Sequence, residues 1–148
     1  MRVTLEKVVL LAAPTSRSQA YIQTLVAWGL CPESVIFMGR DEAAQAKKDT
    51  APTEWEGMLL PDLNESVIST CKHAGIPITF ITESNVNTEM AHRAICATTP
   101  NIIIYSGVGG QIVSKDTLAL GPQFLHMHSG WLPEFRGSTT IYYAMLRR

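Results

Sequence analysis

Apolar residues along this chain fall into short, nearly unbroken runs, and the segments between them carry helical spacing. The runs are KVVLLAA (7–13), SVIFMG (34–39), PITFIT (77–82), NIIIYSG (101–107) and FLHMH (124–128). Each is short enough for a strand and too uniformly apolar to leave one face in water. Between them, SQAYIQTLVAWGL places Tyr21, Leu25 and Trp28 on one helical face, with Ser16 or Ser18 as its cap. DLNESVISTCKHAG predicts a helix capped by Asp62, with Glu65 three residues on, Leu63, Val67 and Cys71 on one face, and Gly75 as its stop before Pro77. NTEMAHRAICAT predicts a helix capped by Asn87, and SKDTLAL a short one. Alternation of strand and helix in this form predicts an α/β fold: a mostly parallel, doubly wound, Rossmann-like sheet covered on both faces.

The pattern disappears between Arg40 and Pro61, where polar residues are broken by Pro52, Gly57 and Pro61. Residues 40–61 read as a surface loop, with one helical turn near Ala43 to Ala46. The rest of residues 1–148 reads as a single domain, without repeats or low-complexity segments.

Composition changes this picture little. With 46% hydrophobic residues, 17% charged residues and a net charge of −1, the chain has no electrostatic bias toward nucleic acid or an anionic membrane. No apolar run approaches the roughly 20 residues of a membrane-spanning helix. Three cysteines, Cys31, Cys71 and Cys96, are widely spaced. They read as reduced core thiols of a cytoplasmic protein, with neither a disulfide framework nor a zinc site.

In a sheet of this kind, ligands bind beyond the carboxyl ends of the strands, and two stretches there carry chemistry. Gly107, Gly109 and Gly110 follow the fourth run. Position 112 is Ile, so this is not the dinucleotide fingerprint, but glycines at a strand end let a ligand approach backbone amides. His126 and His128 sit two residues apart at the end of the fifth run, a spacing that turns both side chains to one face. Their chemistry suits proton transfer near neutral pH, and no third ligand suggests a metal. After the first strand, Ser16, Arg17 and Ser18 offer hydroxyls, a guanidinium and free amides that could hold an anion, although helix capping explains the serines equally well.

The stretch HMHSGWLPEFRGSTTIYYAML, with PNIIIYSGVGGQIVSKDTLALGPQFLH ahead of it, resembles the signature of the folate-dependent formyltransferases. The likeness covers roughly the last third of the chain. Its His-x-His-x-Gly-x-Leu-Pro form is most similar to members that formylate amino sugars on nucleotides. The resemblance implies transfer of a formyl group from 10-formyltetrahydrofolate to a primary amine, without a metal. It places the family's histidine on His128, as a proton carrier. The family's asparagine falls on His126, where a ring N–H or an imidazolium would have to serve in its place. Donor contacts would come from backbone near Tyr105, Ser106, Gly107, Val108, Gly109 and Gly110. Acceptor contacts are expected from Ser16, Arg17, Ser18 and Arg136. The family also uses an aspartate beyond the histidine, and this sequence runs only twenty residues past His128. The expectation is therefore an amino-terminal catalytic fragment. The alternative is a non-catalytic folate- or nucleotide-binding module, whose open sheet edge would need a partner chain or self-association.

Overall fold

The computed structural model describes residues 2–40, 54–128, 130–134, 136–137 and 140–146. In chain order the elements are β1 (Val3–Ala12), α1 (Ser16–Ala27), β2 (Leu30–Met38), β3 (Glu54–Trp55), β4 (Met58–Leu59), α2 (Val67–Ala74), β5 (Ile78–Ile81), α3 (Glu89–Thr98), β6 (Ile102–Ser106), α4 (Lys115–Leu118), β7 (Gln123–Leu125) and α5 (Thr140–Leu146). Five strands form one sheet in the order β5-β2-β1-β6-β7, and every pairing in it is parallel. The five apolar runs are these five strands, and the α/β architecture expected from them is the one observed.

Both faces of the central strands are buried because alternate side chains enter two separate cores. Leu10, Ala12, Val35, Phe37 and Ile104 pack with Ile22 of α1 and with Val67, Ile68, Cys71 and Ala74 of α2. Val9, Leu11, Ile36, Met38 and Ile103 pack on the opposite face with Ala91 and Ile95 of α3. Each fully buried Leu, Ile or Phe contributes on the order of 1.5–3 kcal/mol through loss of apolar surface from water. Uniformly apolar strands are the sequence signature of this double burial.

Several boundaries differ from the sequence expectations, each for a local reason. The cap of α1 is Thr15, whose side chain accepts from Ser18 N; neither Ser16 nor Ser18 caps it. The helix ends at Ala27, so Trp28 leaves the buried face and is 75% exposed. Ser66 caps α2, which displaces Leu63 to the surface, while Asp62 closes a tight turn by accepting from Asn64 N. Thr88 caps α3, one residue after the expected Asn87. Cys31 and Cys71 are buried as expected, but Cys96 is exposed. Within 40–61, part of the expected loop is a small exposed hairpin of β3 and β4. It turns at Glu56 and Gly57, both with positive φ, as a two-residue hairpin turn requires. The turn expected near Ala43 to Ala46 lies outside the described residues.

Candidate active site

The chain leaves β1 toward β2 and β5, then returns across the sheet through α3 to place β6 on the other side of β1. Loops leaving β1 and β6 therefore diverge, and the gap between them is the usual ligand crevice of such a sheet. Here it is a cleft of about 720 Å³, lined by Arg17, Tyr21, Gly109, Gly110, Gln111, Ile112, His126, Met127, His128 and Gly137. That volume lies within the roughly 300–1,000 Å³ range of small-molecule sites.

Two serines tie the floor of the cleft. Ser18, fully buried in α1, lies 2.8 Å from Ser106 Oγ and donates to Ser106 O at 2.9 Å. Its oxygen also accepts from Ala13 N, so β1, α1 and β6 meet at one hydroxyl. Ser18 and Ser106 thus stand behind the cleft as struts. Arg17, the neighbour of Ser18, extends across the gap and donates from Nη2 to Gly107 O at 2.5 Å. Its Nε is buried and has no partner among the described residues. Ser16 is exposed in the first turn of α1. Arg136 is exposed and bonds back onto its own turn at Pro133 O, away from the residues that line the cleft.

On the other side, Tyr105 ends β6 with its ring against Gly107. A β-carbon at position 107 would lie 2.3 Å from Tyr105 Oη, so only glycine fits beneath that ring. Burial pushes the Tyr105 hydroxyl above its ordinary value of 10.0, against the opposing pull of the Arg17 charge. Tyr21 is raised from the same two causes, burial first. Both phenols therefore stay protonated and act as donors. Beyond Gly107 the turn opens to solvent: the N–H groups of Gly107, Val108, Gly109 and Gly110 have no protein partner among the described residues, and residues 108–110 are exposed.

The histidines stand just past β7. Their ring centroids are 6.5 Å apart, and both residues line the cleft, although neither lies within the strand on which the expected spacing rested. His126 Nδ1 lies 3.2 Å from Tyr105 O. A carbonyl oxygen only accepts, so the proton sits on Nδ1 and the neutral ring presents a bare Nε2. From Nε2, His126 donates a hydrogen bond only as an imidazolium.

The structure thus brings His126, His128, Arg17, Gly109 and Gly110 into one cleft, and sets Ser18, Ser106, Tyr105 and Gly107 immediately behind it. It adds Tyr21, Gln111, Ile112 and Met127, of which the sequence marked Tyr21 only as a helix-face residue and Ile112 only as a break in the dinucleotide fingerprint. Among the described residues, no group of three His, Cys, Asp or Glu side chains is placed to hold a metal ion. No described helix is long and apolar enough to cross a membrane.

No protein-family model matches this chain. Among curated proteins, the methionyl-tRNA formyltransferase of Campylobacter fetus is 31% identical over 87 residues, covering 59% of this chain and 27% of the relative. The enzyme of the same name from Campylobacter hominis is 28% identical over 113 residues, covering 76% of this chain and 33% of the relative. Both relatives are formyltransferases, and the chain is similar to them over part of its length. It spans about a third or less of the length of these formyltransferase relatives. Solved formyltransferases share the fold. The phosphoribosylglycinamide formyltransferase of Streptococcus pneumoniae superimposes with a TM-score of 0.61 at 15% identity, covering 97% of this chain and 67% of that one. The enzyme of the same name from Anaplasma phagocytophilum gives 0.57 at 12% identity, covering 99% of this chain and 59% of that one. None of these formyltransferases carries the name of an amino-sugar enzyme.

Proposed function

We propose that this chain transfers a formyl group from 10-formyltetrahydrofolate to a primary amine in the cleft between β1 and β6. The observation that carries the proposal is the pair His126 and His128 lining the same cleft as Gly109 and Gly110, whose exposed amides have no protein partner among the described residues. The bound donor supplies a formyl carbon carried on nitrogen. The fit rests on chemistry in the cleft: N–H groups open to a ligand's acceptors, and a volume suited to a small molecule.

His128 takes up the proton that an attacking amine sheds, and returns it to the departing nitrogen. His126, as an imidazolium, donates from Nε2 to the negative charge that develops on the formyl oxygen. Arg17 holds positive charge at the rim and grips an anionic group of the acceptor, with Ser16 beside it. Ser18 keeps Arg17 in place through its bonds to β6.

For the acceptor, the His-x-His-x-Gly-x-Leu-Pro stretch supports a nucleotide-linked amino sugar, whose phosphates would meet Arg17. A second acceptor, the amino group of methionyl-tRNA, is favoured by the names of the two curated relatives. The test is incubation with 10-formyltetrahydrofolate and each acceptor in turn, followed by mass spectrometry. Gain of one formyl group by an amino sugar supports the first acceptor, and gain by methionyl-tRNA alone selects the second. Formylation of neither would leave a folate- or nucleotide-binding module.

A further inference from the structure

We propose that Gln111 is the positioning residue of the donor half of the cleft, bracing the turn 107–110 so that its open amides keep one geometry. The inference rests on the formyl-donor reading above and names a residue that reading does not require.

The side chain of Gln111 makes three hydrogen bonds. Its Oε1 accepts from Tyr105 Oη at 3.1 Å and from Val86 N at 3.3 Å. Its Nε2 donates to Ser84 O at 2.8 Å. One amide thus joins the end of β6 to the loop between β5 and α3, using its oxygen twice and its nitrogen once. Asn87, in the same loop, secures the next residues by donating to Ile112 O at 2.9 Å and accepting from Ser114 N at 2.8 Å. At the near end, Arg17 bonds Gly107 O and the Tyr105 ring lies against Gly107.

The turn is therefore pinned at 107 and at 111, and the free amides lie between the pins. Gly109 and Gly110 bring no side chains to restrict this span, and Gly110 adopts φ +81, where glycine is favoured. Without the brace, the span keeps only one long backbone bond of its own, Gln111 N to Val108 O at 3.4 Å, and would sample many conformations. A ligand that reads several backbone N–H groups at once needs them held before it arrives. Gln111 also lines the cleft, so the brace borders the space the donor would occupy.

The test compares wild type with Gln111→Met, which keeps length but loses all three bonds, and Gln111→Glu, which keeps an accepting oxygen for Tyr105 and Val86. Affinity for 5-formyltetrahydrofolate is measured by calorimetry, and amide exchange by NMR, at a temperature where all three are folded. The proposal expects affinity to fall by about 10–100-fold in Gln111→Met, with a smaller loss in Gln111→Glu. It also expects exchange to quicken at 108–110 while the amides of β1 and β2 stay unchanged. Unchanged affinity in Gln111→Met would overturn the proposal, as would faster exchange spread over the whole domain. If wild type itself fails to bind 5-formyltetrahydrofolate, the donor reading falls. The brace is then judged by exchange alone: local quickening upholds it and unchanged exchange removes it.

Discussion

Ser18 in α1 and Ser106 at the end of β6 lie with their hydroxyl oxygens 2.8 Å apart, both fully buried, although 88 residues separate them in sequence. The pair closes the floor of the cleft at the point where the sheet changes direction. Removing the Ser18 hydroxyl takes a buried bond from Ser106 Oγ, while Ala13 N keeps its bond to Ser106 O at 3.0 Å. Ser18→Ala is therefore expected to cost about 1–3 kcal/mol in urea unfolding, the price of unsatisfied buried polar groups. Ser16→Ala, at an exposed position two residues away, is expected to stay within about 0.5 kcal/mol of wild type.

Gly107→Ala puts a methyl group 2.3 Å from Tyr105 Oη and 2.7 Å from its ring carbon Cε2. The ring is buried and bonded to Gln111, so either the ring or the turn must give way. A loss of about 1–3 kcal/mol is expected from overpacking, with near-ultraviolet circular dichroism reporting the altered Tyr105 environment. Gly109→Ala meets nothing within 4 Å and is expected to be far milder.

The His126 geometry gives a prediction for its replacement. Its Nδ1 faces Tyr105 O at 3.2 Å, so the ring meets a developing oxyanion through Nε2. His126→Asn supplies an amide donor there and should keep transfer within about tenfold of wild type. His126→Ala should lower the rate by about 10²–10³, the usual cost of losing such a donor. Rate measurements on the three proteins check this.

Cys71 predicts alkaline behaviour of the fold. Burial, with the neighbouring Cys31 adding to it, pushes its thiol from an ordinary 9.0 up to about 12. The folded state then holds a proton that the unfolded chain releases. The associated stability is complete below pH 9 and declines as pH rises toward about 12. Urea midpoints for Cys71→Val should fall less steeply over that window than those of wild type.

The strands were legible in the sequence because double burial forces uniformly apolar runs; the histidine pair stood out by its chemistry, although β7 ends at Leu125, before both rings. The formyltransferase likeness followed from residues after Asn101, where site and signature coincide. What stayed hidden depended on distant partners. Ser18 resembles a helix cap in sequence, and only β6 shows it to be a strut. Asn87 has capping chemistry, yet Ser114 and Ile112 claim its side chain and Thr88 caps in its place. Trp28 fits the helical face, but the helix ends one residue earlier. Arg136, adjacent to glycine in the signature, bonds within its own turn.

The central claim is that the cleft between β1 and β6 holds the formyl donor. The most direct measurement is an NMR titration of this chain with 5-formyltetrahydrofolate, following backbone amides and histidine ring signals together. The account predicts saturable shifts at Gly109, Gly110, His126 and His128, with the amides of α2 unmoved. Absence of shifts, or shifts centred on a surface away from these residues, would contradict it.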